Sequence, residues 1–351
     1  DFFRPPLTLP RMHRLLLLVP AISFLALLTG KTQDSPKLAA PPAPDAAAMS
    51  AIFQPPLTAL DRLPRSAEDQ AKVDLGRHLY YEKRLSSNNK ISCNSCHLLD
   101  KYGVDGVAFS LGVPGEPVGR NSPTTYNAFF HIAQFWDGRA ATVEEQAKGP
   151  ILAGKEMGMP SAAAVVAKLK GIREYPPLFK KAFPRDEDAV NYMNVGTAIG
   201  AFERNLVTPG RFDAFLAGKN SALTKREQKG LKTFVTTGCV SCHTGPLVGG
   251  NSYQKLGLVK AWPNQADLGR SAVVGDDALK MFFKVPSLRN IEKTGPYFHD
   301  SSAKTLEDAV TKMAKHQLGR ELSGEQLGHI VAFLKSLTGK IPAQYIRKRP
   351  F

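Results

Sequence analysis

Every cysteine in this chain belongs to one of two copies of Cys-x-x-Cys-His: Cys93-Asn94-Ser95-Cys96-His97 and Cys239-Val240-Ser241-Cys242-His243. That spacing puts two thiols on one short turn, where they can add across the two vinyl groups of a haem. The adjacent histidine is then directed at the iron. A split zinc site is the alternative, because Cys-x-x-Cys pairs also ligate zinc. Structural zinc rarely needs a histidine fused to each pair, and no thiol is left over for a disulfide. The motifs therefore predict two covalent c-type haems, attached at Cys93, Cys96, Cys239 and Cys242. His97 and His243 are their expected iron ligands.

A chain of 351 residues is long enough for two domains with real cores, and 43% hydrophobic residues describe an ordinary globular composition. Methionine stands at position 12, so residues 1–11 are expected to be an extended start. His13-Arg14, the apolar run Leu15 to Leu28 and the small and polar residues after it predict a secretory signal peptide. An uncleaved N-terminal anchor stays open. The Pro/Ala-rich stretch from Ser35 to Ala48 reads as a linker. Export to the periplasm suits the cysteines, since c-type haem is attached in bacteria outside the inner membrane. The net charge is +15, of which residues 1–48 carry +2, and four haem propionates would bring the rest near +9. In an exported protein that basic surface points to an acidic redox partner rather than to nucleic acid, with scattered solvated lysines the equal alternative.

One plan runs twice along the chain. Each copy opens with a helix carrying Gly-x-x-x-aromatic, passes through Cys-x-x-Cys-His and a long irregular insert, and ends in an amphipathic helix. Ser66 is the predicted cap of the first opening helix, which carries Gly76 and Tyr80. Thr224 and Glu227 form a predicted capping box before Gly230 and Phe234. The closing helices show apolar periodicity at Val195, Ile199, Phe202 and Leu206, and at Leu327, Ile330, Leu334 and Leu337. The second has Ser323 as its expected cap, Gln326 three residues on, and Gly339 just past its end. The pairing of small and aromatic residues resembles the helix pair of class I cytochromes c. The expected fold is mainly α, with two such domains in tandem (49–207 and 208–351), long loops, and a boundary near Thr208-Pro209-Gly210.

Several further stretches are distinctive: Arg120 to Thr124, Gln134 to Ala140, Glu145 to Pro150 and Glu156-Met157, then Phe283 to Asn290 and Gly295 to Asp300. From about Phe53 to the C-terminus the chain resembles the bacterial di-haem cytochrome c peroxidases. The resemblance implies a peroxidatic N-terminal haem and a C-terminal haem that stores and delivers electrons. It also implies hydrogen peroxide as substrate and a small cytochrome c or cupredoxin as donor. By motif, Glu156 would be the distal acid/base, Gln146 its polar neighbour and Trp136 the aromatic residue between the haems. A shielded carboxylate can take a proton from the inner peroxide oxygen and return it to the outer one. Met313 would be the second haem's axial ligand, with Met281 its close competitor. Asn121, Thr294 and Pro296 match a calcium position between the domains. Homodimerisation stays open.

One departure stands out. Many relatives carry a histidine after the first motif that caps the resting peroxidatic iron. Here the matching position is Val113, which cannot ligate, and His131 is the nearest alternative. Two other functions compete with peroxide reduction. One is a di-haem oxidase acting on a protein substrate, like the enzymes that mature methylamine dehydrogenase. The other is a non-catalytic di-haem electron carrier, which Glu156 and Gln146 speak against.

Overall fold

The computed structural model describes residues 46–54, 57 and 66–348. The signal peptide and linker expected before residue 46 lie outside them. Among the described residues the chain is mainly helical. Its helices are α1 Ala46–Phe53, α2 Ala67–Tyr80, α3 Cys93–Cys96, α4 Val143–Leu152, α5 Ala162–Lys170, α6 Tyr175–Ala182 and α7 Tyr192–Glu203. There follow α8 Arg211–Leu216, α9 Lys225–Thr237, α10 Ser271–Val274, α11 Leu306–Leu318 and α12 Gly324–Ser336. A single antiparallel strand pair, β1 Tyr253–Lys255 and β2 Phe282–Lys284, aligns Tyr253 with Lys284.

The opening helices start where their caps are. Ser66 Oγ accepts from the Asp69 N–H at 3.0 Å, and Thr224 and Glu227 form the reciprocal box. Each opening helix then crosses its closing helix at the glycine. A Cβ at Gly76 would collide with the Ala198 carbonyl of α7, and one at Gly230 with the His329 carbonyl of α12. The aromatic residue one turn on completes each crossing. Tyr80 meets Phe202 edge-on at 5.4 Å, and Phe234 meets Phe333 at 5.3 Å.

Two apolar cores follow from these crossings. The first gathers Leu75, Leu79, Val195, Ile199, Phe202 and Leu206; the second gathers Phe212, Leu231, Phe234, Ile330, Phe333 and Leu334. The chain ends exchange partners: Met49 and Phe53 of α1 belong to the second core, while Ile341, Tyr345 and Ile346 pack on the first. Where the halves meet, Arg289 is fully buried and makes a two-pronged ion pair with Asp213 at 2.9 and 3.0 Å. Asp213 also accepts from the N–H groups of Leu57 and Gly210.

Gly339 does a different job from the one its position suggests. Helix α12 ends with Leu337 as C-cap in right-handed conformation. Gly339 is instead pressed against the Thr208 carbonyl, where no Cβ fits, and bridges to Gly210.

Candidate active site

Each Cys-x-x-Cys-His motif follows its opening helix and faces its own cleft. Cys93 and Cys96 bracket α3, whose cap is Ser92, and His97 follows at its end. Tyr80 ties α2 to this turn by donating to the His97 carbonyl at 2.8 Å. In the second half the αL residue Gly238 ends α9 and starts a tight turn at Cys239–Ser241. Cys93, Cys96 and His97 line a first cleft of about 600 Å³, and Cys239, Cys242 and His243 a second of about 230 Å³.

The two thiol pairs line different clefts, which speaks against the split zinc site. All four cysteines are unpaired. Burial pushes the Cys93 thiol far up and the Cys239 thiol to about 12. Among the described residues no group of three His, Cys, Asp or Glu side chains could hold a metal ion. The residues do fit covalent haem. The second cleft has apolar walls from Phe234, Leu306, Ile330 and Leu334 around its thiols. The His243 Nδ1 stands 3.2 Å from the Val248 carbonyl, which orients the ring and leaves Nε2 for iron. The His97 Nδ1 is buried with no partner at hydrogen-bond distance, and burial pulls the imidazole below its usual value against the opposing effect of the Gly103 and Pro123 backbone.

Glu156 and Gln146 both line the first cleft, Gln146 from α4 and Glu156 from the turn after it. Burial pushes the Glu156 carboxyl above its usual range, and the Arg139 guanidinium opposes that shift. Trp136 borders both clefts; its indole N–H donates to the Asn121 carbonyl at 2.9 Å. Met313, on α11, lines the second cleft. Met281 does not: it is buried beside Trp262 and Phe283. Asn121, Thr294 and Pro296 stand along the wall of the second cleft, and Asn121 also reaches the first. His131 lines the second cleft rather than the first. Val113 does not line the first cleft; its side chain lies against Gly158, and its N–H donates to the Glu156 carbonyl at 2.8 Å.

The two halves repeat more closely than the motifs alone reveal. Asn127 and Asn290 both have φ of 62° and each precedes a short 3-10 turn. Phe135 and Phe298 both have positive φ inside matching bridges, Gln134 to Ala140 and Tyr297 to Ala303. Thr142 then caps α4 as Thr305 caps α11. Counted from those caps, Met313 falls where the first half has Pro150, and Ala309 where it has Gln146. All four residues line their clefts. The second cleft thus offers a thioether where the first offers only a proline ring, and the first adds the polar pair Gln146 and Glu156.

Two ionisable residues, Glu203 and Lys284, were given no role by the sequence reading. Glu203 of α7 is buried, lines the first cleft and is pushed to about 8 by burial and then by Glu144. Lys284 and His131 meet in the second cleft, with Nζ 3.0 Å from Nδ1. A glutamate beside Phe202 on the buried stripe was the one available signal, for Glu203.

A family model described as di-haem cytochrome c peroxidase matches residues 70–221. A cytochrome c551 peroxidase of Nitrosomonas europaea is 46% identical over 279 residues, 78% of this chain and 82% of that protein. One of Pseudomonas aeruginosa is 41% identical, covering 84% of this chain and 86% of that protein. The crystal structure of a MauG-like protein associated with microbial copper homeostasis superposes with a TM-score of 0.69 at 28% identity. It covers 84% of this chain and 95% of that one. The chain belongs to the di-haem cytochrome c peroxidase family, and its activity is that of a cytochrome c peroxidase.

Proposed function

We propose that the protein reduces hydrogen peroxide to water in the periplasm, drawing two electrons per peroxide from a small cytochrome c or cupredoxin. Its halves act as tandem class I cytochrome c domains, divided near Thr208-Pro209-Gly210. The observation that carries this reading is the inequivalence of the two clefts. Pro150 and Gln146 stand in the first where Met313 and Ala309 stand in the second, and Glu156 faces the first alone.

The haems, once attached, supply the electrons for breaking the O–O bond. His97 would hold the first iron, and His243 with Met313 the second; histidine–methionine ligation raises the potential, as suits a store of electrons. In the first cleft Glu156 takes a proton from the inner peroxide oxygen and returns it to the outer one. Its raised pKa suits both halves of that exchange. Gln146 orients peroxide without titrating, and Trp136 lies on the way from one cleft to the other. Val113 offers no ligand, and its hydrogen bond to the Glu156 carbonyl steadies the acid-bearing turn instead. The oxidised enzyme therefore reacts with peroxide without prior reduction. A calcium ion at Asn121, Thr294 and Pro296, held mostly through carbonyl oxygens, would brace the junction. A pure electron carrier has no use for a carboxylate and an amide over one iron.

Glu156→Gln tests the central role. Both haem spectra should persist while turnover with peroxide falls about 10²–10⁴-fold, the range for a proton-transfer group. An unchanged rate would move the role elsewhere, with Gln146 next in line.

A further inference from the structure

The second cleft contains an ionisable pair that peroxide chemistry does not use. Lys284, on β2, is 8% exposed, and its ammonium lies 3.0 Å from His131 Nδ1. With Nδ1 accepting, the His131 proton is on Nε2, a buried atom with no partner. The pair is bound into the route between the clefts, because the Lys284 N–H donates to the Trp136 carbonyl at 2.8 Å.

We propose that Lys284 and His131 form a redox-linked proton site for the second haem. The inference rests on reading that haem as the electron store. One electron passes from the donor, which is oxidised, to the second iron, which goes from ferric to ferrous. One proton passes from solvent to the pair, where an N–H bond forms. Both leave again when the electron moves on to the first cleft, so the charge of the second cleft is the same in either state. An electron held in an apolar cavity favours a cation beside it, because interactions there are weakly screened.

Burial pulls Lys284 down to about 8, and burial followed by the Lys284 charge pulls His131 well below its usual value. The pair therefore changes charge within a working pH range. Of the other ionisable groups around it, His243 is held at the Val248 carbonyl. Arg120 is neutralised by Asp137 and Asp267, Arg270 stacks on Tyr253, and His299 stacks on Phe283 at 4.3 Å. Lys255, on β1, is exposed to solvent.

Spectroelectrochemical titration of the holoprotein from pH 6 to 9.5 tests this. In the wild type the second haem's midpoint potential should fall as pH rises through about 8. The limit is about 59 mV per pH unit, a tenfold change in equilibrium for one electron. Lys284→Met should give a lower potential that is flat across this window, and Lys284→Arg a high one that is equally flat. Wild-type protein in weak buffer at pH 8 should also take up protons on reduction. A flat wild-type titration, or the same pH dependence in Lys284→Met, would overturn the proposal. Should no second haem with a thioether-to-iron band titrate at all, the electron-store reading itself has failed.

Discussion

Glu156, Glu203 and Lys284 are side chains that water would keep charged, yet each lines a cleft of the protein interior. Their legibility differed for physical reasons. Glu156 was found only because its spacing from the first motif matched a pattern; in isolation it reads as a solvated loop acid. Lys284 lies in the distinctive stretch Phe283 to Asn290, but nothing local announces that His131 will meet it 153 positions away. Glu203 was hidden behind the apolar stripe that it interrupts. It carries a testable consequence. Its carboxyl is raised to about 8, so the folded protein holds a proton there that the unfolded chain has lost above about 4.3. The stabilisation is fully present below that pH and fades as pH rises through about 8. Comparing the melting of wild type and Glu203→Gln from pH 5 to 9 isolates it. The wild type should lose ground to the variant by an amount on the order of a few kcal/mol. A constant difference would mean that Glu203 is ionised throughout.

At the scale of elements, the opening and closing helices α2, α7, α9 and α12 were the readable part. Caps at Ser66, Thr224 and Ser323 and the apolar periodicity predict α2, α9 and α12 well, and each glycine marks a real crossing. Leu206, read as part of the first closing helix, lies past the end of α7 and is still buried, because the chain continues over the same core. What stayed illegible is short or irregular. The three-residue strands have too few positions for an alternation to show, and Gly339 looks like a helix stop although its constraint comes from Thr208. The crossing makes its own prediction. Gly230→Ala places a methyl group against the His329 carbonyl, backbone that cannot turn aside. The cost should be roughly 1–3 kcal/mol or more, as for an overpacked core. Denaturant unfolding measures it, and a variant as stable as the wild type would mean that the helices can separate freely. Gly76→Ala should behave alike at Ala198.

At the scale of the whole molecule, the chain is a repeated half whose copies have been driven apart in chemistry. The repeat was visible in the motifs. Its finer register was not, because Asn127 and Asn290, or Phe135 and Phe298, are linked by backbone conformation more than by shared neighbours in sequence. The exchanged ends were also hidden: nothing near Phe53 or Tyr345 tells which core it joins. Once that register is known, Pro150 opposite Met313 gives the central claim, one iron open to peroxide and the other closed by a thioether. The electron paramagnetic resonance spectrum of the fully oxidised holoprotein tests that claim most directly. The account predicts one high-spin ferric haem, five-coordinate or holding only water, and one low-spin haem; two low-spin haems would contradict it.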